Sequence, residues 1–169
     1  VEYLHSRGLH AMARGRPHEA LRLHLACGEH LAARGVAGPS WLPWRDRAVL
    51  AHVRLGQLGP AWSLAREAVR VARAWGAPGR LGASLTAAAS AAPDPAVRVG
   101  LLREAVDVLT ATESALELAH AQIRLGATLL AAGDRNGRAL LAAGAQLAAE
   151  CEATAIAMRA RQRLTGRPD

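Results

Sequence analysis

The sequence has no phenylalanine, a single tyrosine and no lysine, and it carries only two cysteines and two methionines in 169 residues. With so few aromatic and β-branched residues, and with alanine and leucine supplying most of the apolar half, the balance favours helix over sheet. Two thiols cannot make a disulfide framework. Cys151 follows Leu140, Gly144 and Leu147 at i+11, i+7 and i+4 spacing, and Cys27 lies between Leu23 and Leu31, so both are expected as buried free thiols on apolar helical stripes. No run of about 18 apolar residues is present, and the opening Val1-Glu2-Tyr3 builds no signal peptide. A soluble, cytoplasmic chain without a membrane partner is expected. All 21 Lys/Arg positions are arginine, which the codon bias of a GC-rich genome explains more simply than a functional choice. The net charge is +7, yet the arginines are spread along the chain and often adjoin acids, as in Arg66-Glu67 and Arg103-Glu104, with no block of like charge. Direct nucleic-acid contact is therefore not expected from this segment.

Catalytic patterns are missing as well. There is no GxxxxGK[ST] phosphate loop, no GxGxxG, and no serine within a Gly-x-Ser-x-Gly elbow. The seven histidines never fall four apart, the spacing that puts two imidazoles on one helical face for a metal. His18, His24 and His30 are six apart, so each is rotated about 240° from the last. Glu150 and Glu152 diverge at i, i+2. The chain is expected not to be an enzyme, with no metal and no cofactor. In the last helix Arg159, Arg161 and Arg163 spread around the axis, which fits a solvated helix end better than a base-reading helix.

What the sequence does have is a repeat. Helical periodicity runs over about 2–14, from Pro17 to about 34, 43–56, 60–76, 80–91, 95–111, 114–132, 136–151 and 153–164, with Gly- or Pro-containing breaks between. Taken in pairs these make units of about 1–35, 36–78, 79–112 and 113–152, each near 40 residues, with a capping helix at 153–165. A hairpin of this kind cannot bury its apolar face alone, so stacked neighbours must supply the core. The fold expected is all-α: one tetratricopeptide-like helical-hairpin array. Ala20, Ala61, Ala96 and Ala139 recur near the start of each second helix, where small side chains let paired helices approach closely.

Two tryptophans of Ser40-Trp41-Leu42-Pro43-Trp44 read as packing devices rather than a ligand cage. Pro43 suits a first helical turn, Trp44 begins the stripe Trp44, Ala48, Ala51, Leu55, and Trp41 staples the incoming loop. Trp75 closes the stripe Ala61, Ala65, Ala68, Ala72. If first helices line a concave face, the residues turned towards it are His5, Arg45, His52, Arg80 and Arg124, and an electropositive groove for an acidic peptide or small anionic effector follows. Ordinary solvated charges on amphipathic helices remain the alternative.

Residues 42–85, with Pro43-Trp44-Arg45, Leu55-Gly56, Ala65-Arg66 and Trp75-Gly76-Ala77-Pro78, resemble the helical-repeat region of LuxR-type large ATP-binding (MalT-like) transcriptional regulators. Further similar stretches are LLREAVDVL (101–109), SALELAHAQIRLGATLLAAGDR (114–135) and ARQRLTGRP (160–168). The resemblance implies a fragment of a larger regulator, with nucleotide-binding and DNA-binding modules lying outside this sequence. The segment itself would sense a signal or bind a partner protein. A general protein–protein scaffold array unrelated to transcription is the alternative, and the hairpin ends of an isolated array leave room for self-association.

Overall fold

The computed structural model describes residues 1–36, 38 and 42–165. Among them are α1 (Glu2–Ala13), α2 (Pro17–Ala32), α3 (Trp44–Arg54), α4 (Leu58–Trp75) and α5 (Pro78–Ala89). The chain continues through α6 (Pro95–Thr110), α7 (Ala115–Ala131), α8 (Gly137–Glu150) and α9 (Thr154–Leu164), and no strand occurs among the described residues. Trp41, the expected loop staple, lies outside them.

Local chemistry sets the boundaries. Pro17, Pro78 and Pro95 each open a helix, where the fixed φ is pre-organised and the missing N–H would have no intrahelical partner anyway. Pro60 is the third residue of α4, so the helix begins two residues ahead of it, still within the turn that needs no amide donor. Asp94 caps α6 by accepting from the amides of Ala96 (2.6 Å) and Val97 (3.2 Å). Gly76 ends α4 in the left-handed region (φ 77°), which costs glycine nothing. At the α8–α9 turn the same conformation falls on Glu152 (φ 58°).

Each helix packs against its successor, and α7 against α8 most extensively. The odd-numbered helices also touch across units, α1 with α3, α3 with α5 and α5 with α7, whereas no two even-numbered helices make comparable contact. The odd layer is thus the inner one. Clusters of buried residues run down the array: around Ala11, Leu23 and Ala51, then Val49, Leu85 and Leu109, then Leu102, Leu125 and Leu129, then Ile123, Leu141 and Ala157. Leu85, Leu102, Leu109 and Leu141 are fully buried, each contributing roughly 1.5–3 kcal/mol by leaving water. Cys27 is buried and Cys151, the C-cap of α8, half-buried, both as free thiols.

Close helix approach is set partly by different residues from those expected. Ala20 and Ala61 are buried, but Ala96 and Ala139 are exposed. Between α7 and α8 the contact runs instead through Gly126, Gly137 and Gly144, where an added Cβ would meet backbone of the facing helix. Ala139 lies two residues beyond Gly137, about 200° round the helix, and so faces solvent. Trp75 is likewise 53% exposed rather than closing the core stripe. The 18-residue α4 outruns the 11-residue α3, and at its end the indole covers Gly38. Trp44 packs face-on over Gly28 of α2. No described helix is long and apolar enough to cross a membrane.

Candidate functional site: an arginine-lined inner trough

The inner layer encloses a cavity of about 190 Å³ between α3, α5 and α7. A second, of about 430 Å³, lies between α1, α2, α3 and α9. Arg47 and Leu50 line both, so the two adjoin and together make up an inner trough. Five arginines (Arg47, Arg54, Arg80, Arg124 and Arg159) face it against two carboxylates, Asp46 and Glu117. Of these, only Arg80 is held in an ion pair among the described residues.

That pair links two inner helices. Arg80 Nη2 donates to Asp46 Oδ2 at 2.8 Å, and Ser84 Oγ donates to the same oxygen at 3.1 Å. Asp46 is 7% exposed. Burial pushes its pKa up, opposed by Arg80, by the Ser84 hydrogen bond and by Arg47 and Arg45. The Nε of Arg80 is buried without a hydrogen-bond partner. Opposite, Arg124 forms no side-chain hydrogen bond or ion pair among the described residues. Its half-buried position, with Arg98 and Arg163 nearby, lowers its pKa. His120, one turn earlier on α7, has its pKa lowered by the loss of hydration that disfavours its charged form; Glu117 opposes this while Arg47, Arg124 and Arg159 reinforce it.

The residues expected to line a groove are distributed as follows. Arg80 and Arg124 come together in the smaller cavity. Arg45 goes elsewhere: its guanidinium lies 4.4 Å from the Trp44 ring centroid and its Nε bonds Glu67 of α4 at 3.0 Å, on the side facing α2 and α4. His52 is tied by its Nδ1 to Gln57 at 2.7 Å, at the end of α3. His5 is buried, edge-on to His24 with ring centroids 5.4 Å apart. Burial, then His5 and Arg47, bring the His24 pKa down to about 4.

Sequence reasoning missed Asp46, Arg47, His120 and Arg159. On α3, Arg45 and Arg47 flank the Trp44 stripe at about +100° and −60°. Periodicity alone cannot say which flank meets the trough, and the stacking of α5 beside α3 selects Arg47. Asp46 sits on the side of α3 away from Trp44 and reads as solvated. It is buried because an inner helix is covered on two sides, by its hairpin partner and by the next inner helix. The pairing of Asp46 with Arg80 and Ser84 spans 34 and 38 residues, and no local pattern announces it. Among the described residues no three His, Cys, Asp or Glu side chains gather as a metal site.

The chain is thus an all-helical array with a cationic trough along its inner layer. Compared with protein-family models, curated proteins and solved structures, it shows no significant match.

Proposed function

We propose that this chain is the sensing and partner-binding segment of a LuxR-type transcriptional regulator. In this reading it is a cytoplasmic, tetratricopeptide-like array whose concave inner face receives an anionic effector or protein partner. It performs no catalysis and needs no cofactor. DNA is contacted by a separate C-terminal domain. The observation that carries the binding role is that three helices each present to the trough an arginine with no counter-ion among the described residues: Arg47 on α3, Arg124 on α7 and Arg159 on α9. Guanidinium groups offer planar forks of donors that match carboxylate and phosphate oxygens. A trough lined by one sign of charge also concentrates oppositely charged ligands, with an effect that salt weakens. The regulator context rests on the sequence resemblance of residues 42–85 and 101–135.

Fluorescence anisotropy of a labelled acidic peptide and of small anions, with and without Arg47→Glu and Arg124→Glu together, tests the binding role. The double reversal is expected to abolish anion binding that the parent chain shows at low salt, and equal binding by both removes the assignment of the trough. For the regulator context, the gene is expected to run on into a helix-turn-helix segment; a stop codon directly after Asp169 would end that reading.

A further inference from the structure

The α3–α5–α7 cavity is the smaller part of the inner trough and brings Arg47, Arg80, Arg124 and His120 together, and its size narrows what it can hold. About 190 Å³ falls below the roughly 300–1,000 Å³ of pockets for drug-sized ligands, so it suits a metabolite of a few carbons. The walls combine Arg47, Arg80 and Arg124 with the imidazole of His120, over an apolar floor that includes Leu50, Ala83 and Ala87. Arg80 is already spoken for by Asp46, a contact that fixes its guanidinium in place rather than leaving it to solvent. Arg47 and Arg124, from the two flanking helices, have no counter-ion among the described residues, and each can answer one negative charge. Glu117, also in the lining beside His120, opposes any anion and offsets part of the arginine charge.

Resting on the reading of the inner face as the binding face, we infer that this cavity is the site of a compact dianionic small molecule, a phosphate monoester or a short dicarboxylate, held between Arg47 and Arg124 with Arg80 and His120 as further donors. Two charges match the two uncompensated arginines from opposite walls. Occupancy ties α3, α5 and α7 together through one ligand and so stiffens the inner layer across three successive units. That gives an effector a means of acting on the whole array.

The experiment is isothermal titration together with thermal melts of the 169-residue chain. The probes are inorganic phosphate, glycerol phosphate and succinate, with acetate and an acidic peptide as comparisons. The phosphate and succinate arms distinguish the two dianion chemistries. At least one dianion is expected to raise the melting temperature and bind more tightly than acetate. Arg124→Gln and, separately, Arg47→Gln should each weaken it about ten- to a hundredfold, the loss of a charge-assisted hydrogen bond or two, while Arg124→Lys restores part of the affinity. Arg124→Gln removes a charge that burial disfavours, so the variant is expected to fold; Arg47 is exposed and serves as the independent variant. Binding of the acidic peptide but of no dianion overturns the inference and leaves the proposed function standing. Dianion binding that both variants leave unchanged overturns it too. Binding of neither peptide nor dianion removes the inference and the anion-binding role together.

Discussion

Replacing Gly126 by alanine should destabilise the array, against the usual direction of such a change. In an open helix interior Gly→Ala gains about 0.5–1 kcal/mol, because alanine loses less backbone entropy on folding. At Gly126, however, the new Cβ would stand 2.6 Å from the carbonyl oxygen of Gly137, 2.6 Å from the amide nitrogen of Leu141 and 2.9 Å from its Cβ. Ordinary carbon contacts are about 3.5–4 Å, so α7 and α8 must part by roughly 1 Å, and a gap of that size forfeits a quarter to a half of the dispersion energy of contacts along the seam. The obstructing atoms are backbone, which cannot rotate away. Fully buried Leu141 is part of that seam and would be drawn out with it. Overpacking of this kind costs about 1–3 kcal/mol. With rigid backbone on both sides the upper end applies, leaving a net loss of about 2 kcal/mol after the propensity gain. At about 2–4 °C per kcal/mol for a chain of this size, the melting temperature should fall by about 4–8 °C. Gly100, in the interior of α6 with nothing near its added Cβ, is the internal control, and Gly100→Ala should raise the melting temperature by about 1–4 °C. Gly126→Ala with Gly137→Ala should lose less than the sum of the two, because one separation of the helices relieves both clashes. Circular-dichroism melts of the parent, the three single variants and the double variant are sufficient. If Gly126→Ala proves as stable as the parent while Gly100→Ala gains, the close-approach account of the α7–α8 seam is wrong.

Acid should destabilise the protein through His24. Its folded pKa of about 4 lies below the ordinary 6.5, so the unfolded chain binds the extra proton between those values and stability falls as pH drops through that window, by about 3 kcal/mol at its lower end. His5 and His120, also lowered, act in the same direction, while Asp46, raised by burial, acts in the opposite one. Urea unfolding from pH 7 to pH 4 reads the slope, and a slope unchanged in His24→Gln would refute the assignment. Asp46→Ala leaves Arg80 without its anion and Ser84 without its acceptor, and should cost about 1–3 kcal/mol in the same unfolding assay. Glu152→Gly relieves a left-handed backbone conformation at an exposed turn and should raise the melting temperature by about 1–4 °C, an increment of about 0.5–1 kcal/mol.

Much of the helical layout was legible because its determinants are local. Pro17, Pro78 and Pro95 mark helix starts, Gly76 and Gly133 mark stops, and apolar residues at three- and four-residue spacing between them identify buried faces such as Ala61, Ala65, Ala68 and Ala72. The same reading placed Trp75 in the core, because periodicity does not register that α4 outruns its partner helix. It placed Ala139 at a helix contact because a recurring small residue identifies the requirement for close approach without identifying which small residue meets it. Gly137, two positions earlier, is the one that does.

The sequence by itself determined an all-helical chain with an excess of arginine and the approximate ends of its helices, because capping, proline geometry and amphipathic period act over a few residues. Only the tertiary structure decided which arginines share a space. Arg47, Arg80 and Arg124 converge because α3, α5 and α7 lie side by side in the inner layer, and Arg45 is turned outward by the same stacking. That arrangement depends on how each helix is rotated about its axis when two neighbours cover it at once, a quantity fixed by contacts between residues tens of positions apart.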